Sequence, residues 1–512
     1  AADGSTVVWD YSANSAYHND VAGIGADATS GLDQRISKSR NSDAIVTMCT
    51  EAIGTLNSGI STALTDDTYL LWGNNNSTSN AYDDLPAGYS GRLKKEWVVE
   101  MTGTVADVHV EFDITDHDYM AGDAAADFYL LVDADGDFTS GASATVASSF
   151  GSNKVTFNDI DFTDGQYFTL ATQQTGPGGV SSNLRLWLKA DAGTNTTTED
   201  DDVTSWTDQS LEGFDADDSY TGHNGPDYKV NAINYNPALD FDGSNEGLRL
   251  TGAIIDISRD AYFFYLVSQR DDADNTNRNV FRVTANSSKY LWFRHKGTGS
   301  NGADFVYGNT TSGQGKILGT PDNTTVQPYL WSFGAHATSD ATPNGTRRYI
   351  QQNNTTIASN NASSNVRADH ASNLMFIGTN PAGNEDYDGL IAEIICLSDI
   401  PTDEEDLRIK SYLALKYGIT MASMDYKTSG GTEIWDKDLD ASYNNDITGI
   451  GRNDISGLNQ KQAKSLNSDA IVTMSTQAIA ANNAANTTQL GTDVSFEMWA
   501  NNGGSVAMQT SE

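Results

Sequence analysis

The sequence contains one stretch twice, and this duplication constrains the possible fold more than any other feature. The first copy runs from Trp9 to Thr50 and the second from Trp435 to Thr476, without a gap between the aligned positions. About half of these positions are identical, far above the level expected of unrelated segments. The chain therefore carries a repeated module, with a different segment between the two copies.

Within the repeat, glycines and apolar residues predict different local structures. Gly23, Gly25 and Gly31 predict turns, because glycine adopts backbone conformations that other residues avoid. The apolar run 45–48 predicts a core strand. We therefore interpret the repeated stretch as a scaffold and expect the function in the segment that it encloses.

The charge of the chain limits its partners. The formal net charge is −39, from 69 acidic and 30 basic residues, which excludes a general phosphate-binding surface and so argues against nucleic acid and anionic membranes. Such a charge is typical of an extracellular protein whose aspartates bind calcium, or of the salt-rich interior of a halophile. No apolar run is long enough to span a membrane, and a signal peptide, if there is one, is expected outside this sequence.

The two cysteines predict free thiols rather than a disulfide. Cys49 corresponds to Ser475 in the second copy, so the module does not need it. Cys396 lies in the apolar run 394–397, which predicts a buried strand. A chain without disulfides and rich in aspartate fits a calcium-stabilised bacterial exoprotein.

Composition and periodicity divide the chain into three domains. Residues 1–175 form a complete β-sandwich module, in which Val108, Val110 and Phe112 alternate with polar residues as in a half-buried strand. The middle domain covers 183–420, and 430–512 forms a second, incomplete copy of the module. The incomplete copy has two explanations, a cut segment or a half-module that pairs with strands from elsewhere.

Two glycine-containing segments, 175–179 and 427–431, predict linkers between these domains. One helix is predicted in the middle domain, because Thr402 and Glu405 form a capping box and Gly418 suits the helix end. The remaining apolar runs of the middle domain predict strands. This pattern indicates a large sandwich with one helix docked on its edge.

Four segments of the middle domain, in this order, carry a family resemblance. They are Leu186–Gly193, Val203–Ser210, Asn236–Gly243, and Gly389–Ile395 running into Ser411–Ile419. On these segments the domain resembles the laminin G-like, concanavalin A-like jelly rolls of bacterial surface proteins. The resemblance implies a two-sheet jelly roll. The expected fold is therefore all-β, with multidomain β-sandwiches, a central jelly roll and one docked helix.

The whole chain is similar to part of a large bacterial adhesin of the repeats-in-toxin type. That resemblance implies structural calcium and, in some members, binding of a sugar or peptide by domains set among sandwich modules. The glycine-rich nonapeptide repeats of such adhesins are absent from this sequence. The resemblance to adhesins further implies a secreted protein at the bacterial cell surface. Its expected partners are an extracellular glycan or surface ligand and neighbouring adhesin modules.

An aspartate-rich turn after a buried strand predicts a calcium site. Asp133, Asp135 and Asp137 stand at alternate positions, which allows their carboxylates to face one hard cation, as in the first half of an EF-hand loop. The distal glutamate of that motif is missing, so further ligands would come from carbonyls, water or another loop. The alternative is a solvated Asp–Gly hairpin turn.

Two acidic loops at strand ends of the middle domain predict a ligand-binding rim. Their candidate residues are Asp271, Asp272, Asp274, Asn384, Asp386, Tyr387 and Asp388. Calcium at this rim would coordinate sugar hydroxyls while Tyr387 stacks on a sugar ring. The alternative is a pair of acidic surface loops without a ligand.

No catalytic constellation is evident, so we expect a protein that is not an enzyme. Glu111, Asp113 and Asp116 resemble the acidic strand of laminarinase-type glycosidases, but their simplest interpretation is a solvated polar face. Three functions compete. The first is a calcium-dependent, lectin-like adhesion module, and the second is a calcium-stiffened spacer with the ligand site elsewhere. The third is a jelly-roll polysaccharide hydrolase or lyase. We favour the first, because the unrepeated domain stands between repeated modules.

Overall fold

The structure, a computed structural model, consists of two compact units, Ala1–Gln174 and Thr175–Glu512. It describes residues 1–505 except 79, 82–83, 87–88, 90, 116–124, 174, 182, 211, 220–221, 253, 255–260, 272–277, 287–288, 297–301, 310–315, 320–325, 337–347, 361–373 and 440. Within these residues the chain is built of β-sheets and one α-helix, which confirms the all-β sandwich architecture. Residues 183–420 and 430–512, predicted as two domains, lie in the same unit.

The first unit is a β-sandwich. Its strands are β1 (Asn19–Asp27), β2 (Leu32–Gln34), β3 (Ile36–Lys38), β4 (Val46–Cys49), β5 (Thr68–Asn74), β6 (Asn80–Ala81), β7 (Gly91–Leu93), β8 (Trp97–Thr102), β9 (Val108–Asp113), β10 (Phe128–Asp133), β11 (Ser143–Val146), β12 (Ser149–Gly151), β13 (Lys154–Ile160) and β14 (Tyr167–Thr172). One sheet has the order β11-β10-β14-β8-β5-β1-β2 and the other β12-β13-β9-β4-β3. The apolar residues of β9 face the core between them, as their alternation predicts.

The second unit holds the jelly roll, the helix and the second copy of the repeat. Its elements are β15 (Leu184–Lys189), β16 (Ser205–Trp206), β17 (Ala216–Asp217), β18 (Asp227–Ile233), β19 (Asn236–Asp242), β20 (Leu248–Thr251), β21 (Ala261–Arg270), β22 (Arg278–Asn286), β23 (Lys289–Lys296), β24 (Gly302–Asn309), β25 (Lys316–Gly319), β26 (Tyr329–His336), β27 (Arg348–Gln352), β28 (Thr355–Asn360), β29 (Leu374–Ile377), β30 (Asp388–Leu397), α1 (Asp403–Tyr417), β31 (Tyr426–Lys427), β32 (Glu433–Trp435), β33 (Asn445–Asn453), β34 (Leu458–Gln460), β35 (Gln462–Lys464), β36 (Thr473–Ser475) and β37 (Ser495–Asn501).

Two large sheets form the jelly roll. The back sheet has the order β18-β19-β30-β21-β26-β27-β28, with β15 also paired to β30. The front sheet has the order β16-β17-β20-β29-β22-β23-β24-β25. Buried aromatic rings, including Phe264, Phe281 and Phe333, fill the space between the sheets.

Helix α1 begins and ends where the sequence predicts. The Thr402 side chain accepts a hydrogen bond from the Glu405 N–H at 3.2 Å, and the Thr402 N–H donates to Glu405 Oε2 at 2.8 Å. Four acidic residues stand in the first turn and Lys416 in the last, which suits the helix dipole. Gly418 ends the helix with φ +65°, in the left-handed region.

A buried charged network attaches α1 to the back sheet. The Glu393 carboxylate, which is fully buried, accepts hydrogen bonds from Trp187 Nε1 at 2.6 Å, Tyr417 Oη at 2.8 Å and Lys416 Nζ at 2.9 Å. Lys416 also donates to Asp191 Oδ1 at 2.8 Å. These residues belong to segments that carry the family resemblance. Their recurrence therefore has a structural reason, the docking of the helix on the sheet.

The predicted linker 175–179 is a packed turn rather than a free connection. Pro177 and Gly178 are buried, and Gly178 has φ +67°. A Cβ atom on Gly178 would lie 2.4 Å from the Arg408 carbonyl oxygen of α1, so only glycine fits there. Glycine-rich composition thus predicts the turn correctly but not its burial.

The two copies of the repeat adopt the same local structure. In the first, Ala22 of β1 lies opposite Trp72 of β5, and in the second, Thr448 of β33 lies opposite Trp499 of β37. The prediction of turns at Gly23 and Gly25 is wrong, because both lie inside β1. Glycine is required there for another reason: a Cβ would approach the cross-strand side chains Leu71 and Tyr69 to 2.7 Å.

One polar network recurs in both copies. In the first, Asp20 accepts hydrogen bonds from Asn41 Nδ2 at 2.8 Å and Asn74 Nδ2 at 2.7 Å. In the second, Asp446 accepts the corresponding bonds from Asn467 and Asn501. Both aspartates have positive φ, +53° and +55°, at a bulge next to the strand start. The repeated Asn–Asp pair thus fixes the bulge.

Both cysteines are free and fully buried, as predicted. No helix in the described part of the chain is long and apolar enough to cross a membrane.

Candidate ligand-binding site

A row of cross-strand neighbours crosses the outer face of the front sheet. On β22 the core residues Phe281 and Val283 face inward, so Arg282 between them faces outward. The residues paired with Arg282 on the two neighbouring strands, and the residues paired with those in turn, form one continuous line across the sheet. The line consists of Asp217, Arg249, Phe376, Arg282, Trp292 and Val306. We call it the outer row.

Two guanidinium groups cover Trp292 of the outer row. The Arg282 guanidinium carbon lies 5.0 Å from the centre of the Trp292 ring, and that of Arg294 lies 5.2 Å from it. Trp292 is 8% exposed and Phe376 2%. Arg249, Arg282 and Arg294 stay partly exposed, so part of each arginine side chain reaches the surface of this face.

Paired acids hold the arginine layer in place. Arg294 Nε lies 2.9 and 3.0 Å from the two oxygens of Asp304, which is fully buried. Trp292 Nε1 donates to the same carboxylate at 2.9 Å, and Arg294 Nη1 donates to Glu385 Oε1 at 3.0 Å. Glu385 also accepts from Asn279 Nδ2 at 2.6 Å. The loop that carries Glu385 is thereby fixed to the front sheet.

In the described residues, the two predicted rim loops meet at Asp271 and Asp388. The Asp271 N–H donates to the Asp388 carbonyl oxygen at 3.1 Å. Asp271 Oδ1 accepts from Gln269 Nε2 at 2.7 Å, and Asp388 Oδ2 lies 3.8 Å from Arg278 Nη2. Asp272 and Asp274 lie outside the described residues. The rim as a ligand site stays a prediction.

Two rim residues, Asn384 and Asp386, hydrogen-bond to neighbouring groups of the protein. Asn384 Oδ1 accepts from Asn380 Nδ2 at 3.0 Å. Asp386 is buried, and it accepts from Thr379 Oγ1 at 2.5 Å and from the Asn245 N–H at 3.2 Å. These contacts position the loop itself.

The predicted role of Tyr387 is wrong. Its side chain is fully buried, its hydroxyl donates to the Gln269 carbonyl oxygen at 2.8 Å, and its ring packs against Phe241 and His295. Burial raises the pKa of the Tyr387 hydroxyl well above its usual value. Neither ring face can stack on a sugar, because the residue belongs to the core between the sheets.

The predicted calcium turn lies in the first unit, after β10. Asp133 Oδ1 accepts from the Asp135 and Gly136 N–H groups at 2.8 and 2.9 Å. Asp135 Oδ1 accepts from the Asp137 N–H at 3.0 Å, and Asp137 accepts from Thr139, which lowers the pKa of the Asp137 carboxyl. The three aspartates thus act as acceptors within the turn, and calcium binding there stays a prediction.

Another acidic group in the first unit was missed by sequence reasoning. One carboxylate oxygen from each of Asp27, Asp66 and Asp67 lies within 4.8 Å of the other two. Among the described residues, the aspartates of the Asp133 turn do not come this close together. Tyr69 and the Ala2 N–H hydrogen-bond to Asp27 and lower its pKa to about 2. No local spacing signals this group, because the pairing of β1 with β5 brings its members together.

The described carboxylates of strand β9 each lie near a lysine and do not converge on one site. Glu111 Oε1 accepts from Lys154 Nζ at 2.6 Å, and this ion pair raises the pKa of Lys154. Asp113 lies 3.8 Å from Lys38 Nζ and accepts from Thr115. Asp116 lies outside the described residues. The two described acids are thus neutralised on the outer face of the sandwich.

Comparison with known proteins gives one family and several matches of fold. A family model described as "Domain of unknown function (DUF8202)" matches residues 1–166 and 405–512, more than half of the chain. No curated protein matches the sequence. The second matched segment begins inside α1, so it includes most of the helix along with the second copy of the repeat.

Among solved structures, the receptor binding domain of botulinum neurotoxin D is 9% identical over 46% of this chain, with a TM-score of 0.33. The match covers 54% of that chain, little more than half of its length. Domain 4 of AbnA, a GH43 extracellular arabinanase from Geobacillus stearothermophilus solved with arabinotriose, is 13% identical. That match covers 46% of this chain and 99% of that one, with a TM-score of 0.32.

The CBM40 of Ruminococcus gnavus IT-sialidase is 13% identical over 28% of this chain and 80% of its own, with a TM-score of 0.22. All three are similar to this chain in fold only.

Proposed function

The chain belongs to the family of the domain of unknown function DUF8202, and from the jelly roll set between its two matched segments we propose an extracellular glycan-binding module. The observation that supports this proposal is the outer row of the front sheet. Together with the neighbouring Arg294 it offers three partly exposed arginines, two of which lie over the ring of Trp292. The row lies on the jelly roll, which is not part of the repeat.

The chemistry of the outer row suits a saccharide. Guanidinium groups donate hydrogen bonds in a fixed fork, which matches pairs of hydroxyl oxygens or a carboxylate. Arg294 is already held by Asp304 and Glu385, so its donors are oriented before a ligand arrives.

Adhesion at a bacterial cell surface and calcium dependence are further parts of the proposal. Both come from the resemblance and from the acidic composition. The rim residues Asp271 and Asp388 stand at the end of the same jelly roll as the outer row, and a cation there would bring a second contact to the ligand. The glycan contact and the calcium requirement are tested separately.

A glycan array tests the binding proposal. The full chain is applied with fluorescent label, and the hits are compared with those of Arg282→Gln and Trp292→Phe. We expect Arg282→Gln to lose most of the signal. Trp292→Phe, which keeps a smaller aromatic ring but loses the indole N–H, should lose less. Arg452→Gln is the matched control, because Arg452 lies in the second copy of the repeat and pairs with Asp454 at 2.7 Å.

Two results would count against the proposal. Absence of any glycan signal from the parent chain would favour the spacer function, in which the ligand site lies elsewhere. Equal signals from Arg282→Gln and Arg452→Gln would remove the outer row as the site. Repeating the array with EDTA shows whether the binding needs calcium, independently of where it occurs.

A further inference from the structure

The two copies of the repeat differ in which of their equivalent apolar residues are buried. In the second copy Ile447 is 0% exposed and Leu458 3%, whereas the equivalent residues of the first copy, Val21 and Leu32, are 37% and 41% exposed. The difference reverses on the other side. Ile471 and Val472 of the second copy are 69% and 44% exposed, but the equivalent Ile45 and Val46 are 8% and 2% exposed. In each copy, a neighbouring element therefore covers residues whose equivalents are exposed in the other copy.

In the first copy, the strand that contains Val46 is part of the module's own five-stranded sheet, β12-β13-β9-β4-β3. Strand β4 pairs with β9 as well as with β3, and Val46 lies opposite Phe112. The second copy has the equivalent of the β3–β4 pair in β35 and β36, which form a two-stranded sheet in the described residues. This accounts for the exposure of Ile471 and Val472.

In the second copy, the face around Ile447 is covered by α1. Ile447 and Leu458 belong to the same apolar cluster as Leu413 and Leu415 of the helix. A Cβ atom on Gly449 would lie 3.1 Å from Leu415 Cδ2, so the helix packs directly on the strand. The helix can approach the strand this closely because Gly449 has no side chain.

Hydrogen bonds from the turn after α1 add to this contact. The Leu466 N–H donates to the Gly418 carbonyl oxygen at 2.9 Å, and Thr420 Oγ1 donates to the Ile447 carbonyl oxygen at 3.3 Å. Behind the helix, Asn236 Nδ2 of the jelly roll donates to Gln460 Oε1 at 3.0 Å. The docking thus involves the helix, its C-terminal turn and the edge of the back sheet.

The first copy keeps the residues that make this contact. Gly23, Leu32 and Gln34 are identical to their counterparts in the second copy, and Val21 replaces an isoleucine. The fold of the first unit does not require Val21 and Leu32 to be apolar, because both side chains are exposed there. Their chemistry therefore matches a partner rather than the module's own core.

We infer that the face of the first module formed by Val21, Gly23, Leu32 and Gln34 is a docking surface for a helix of the α1 kind, carried on a jelly roll and followed by a Gly-Ile-Thr turn. The repeat is then a two-sided adaptor. One side receives the helix of a jelly roll, and on the other side β4 pairs with β9 of its own sandwich. This inference does not depend on glycan binding.

A tandem chain tests the docking surface. Residues 175–426 are placed directly before residue 1 of the full chain, which reproduces between Gly418 and Asp20 the spacing that the chain has between Gly418 and Asp446. Leu32→Cys is introduced into the parent and tandem chains, and the rate of thiol labelling is measured under native conditions. The native cysteines are fully buried, so they give a low background.

We expect Leu32→Cys to be labelled at least ~10-fold more slowly in the tandem chain than in the parent, because docking is a local equilibrium that closes the site. Leu458→Cys, already covered in the parent, should be slow in both chains. Replacing Leu415 by Asp in the added helix should restore fast labelling of Leu32→Cys.

Fast labelling of Leu32→Cys in a tandem chain whose Cys396 residues remain unreactive would overturn the inference, since the added jelly roll is then folded and the face still open. Protection of Leu32→Cys in the parent chain that grows with protein concentration would also overturn it. That result would assign the face to a second copy of the chain instead.

Discussion

Lys416 illustrates how much one buried side chain contributes to this jelly roll. Its ammonium group lies between Glu393 at 2.9 Å and Asp191 at 2.8 Å, and these carboxylates raise its pKa against the opposing effect of burial. Because Glu393 is fully buried, its charge depends on the partners that the network supplies. The residue is therefore a sensitive test of how α1 is held.

We predict that Lys416→Ala destabilises the second unit by about 3–5 kcal/mol, because it leaves a buried carboxylate without its counter-charge. Denaturant unfolding followed by tryptophan fluorescence measures the loss. Lys437→Ala serves as the matched control, since the Lys437 pair with Asp438 lies at the surface and should change the midpoint little. Equal effects of the two variants would contradict the buried-network account.

Glu246 gives the stability of the jelly roll a pH dependence. Burial, together with the nearby carboxylates of Asp242 and Asp227, raises its pKa from 4.5 to about 7. The folded state therefore holds this proton at pH values where the unfolded state has released it. The stability contributed by protonated Glu246 is complete below about pH 4.5 and is lost as the pH rises towards 7.

We predict that Glu246→Gln gains stability relative to the parent as the pH rises from 4.5 to 7.5. The gain should be on the order of 1 kcal/mol once the partial exposure of the side chain is allowed for. Unfolding free energies of both proteins at the two pH values measure it. A difference that does not vary with pH would show that Glu246 is not the titrating group.

At the level of single residues, sequence reasoning located the rim but not the direction of its side chains. Tyr387 stands among four acidic or amide residues, which predicts an exposed loop, yet its ring lies in the core. The outer row was missed entirely. Its members are distant in sequence, and only the strand register places Arg249, Arg282 and Trp292 side by side.

At the level of elements, α1 was predictable to its last residue. Capping chemistry is local, and Thr402, Glu405 and Gly418 stand at fixed distances along the chain. Strands with clear alternation or long apolar runs, such as β9 and β30, were predictable for the same reason. What could not be predicted was the packing of 175–179 against the helix, because composition indicates a turn without indicating what lies beneath it.

We predict that Thr402→Ala lowers the stability of the second unit by about 1 kcal/mol, through loss of one side of the capping box. Thr402→Ser should keep most of that stability, because its hydroxyl can accept the same hydrogen bond from the Glu405 N–H. Thermal unfolding of both variants measures the difference. A serine variant as unstable as the alanine variant would mean that the methyl group, rather than the hydrogen bond, matters.

At the level of the whole molecule, the net charge of −39 opposes the compact state through self-repulsion. We predict that the unfolding temperature rises when NaCl is increased from about 10 mM to 500 mM, because the Debye length shortens to a few ångströms. Calcium chloride at matched ionic strength distinguishes screening from binding. A rise no larger than that given by NaCl would argue against specific calcium sites in the folded chain.

The duplicated sequence predicted a modular chain, and the structure shows why the two copies are not equivalent. Equivalent strands, β1 and β33, pair in the same register in both copies, since register depends on the local pattern. What each copy contacts depends on segments far away in sequence: α1 packs on the second copy, and β9 pairs with β4 of the first. Long-range contacts of this kind leave no periodic trace in a single sequence.

The direct seating of the second copy on α1 has a mechanical consequence. The chain leaves the helix at Gly418, and the Leu466 N–H of the repeat already bonds to that residue's carbonyl oxygen. A pulling force that enters the jelly roll therefore passes to the repeat through packed side chains and short hydrogen bonds, with no slack segment to extend first. Such a joint transmits tension as a stiff coupling, and it would separate abruptly rather than stretch.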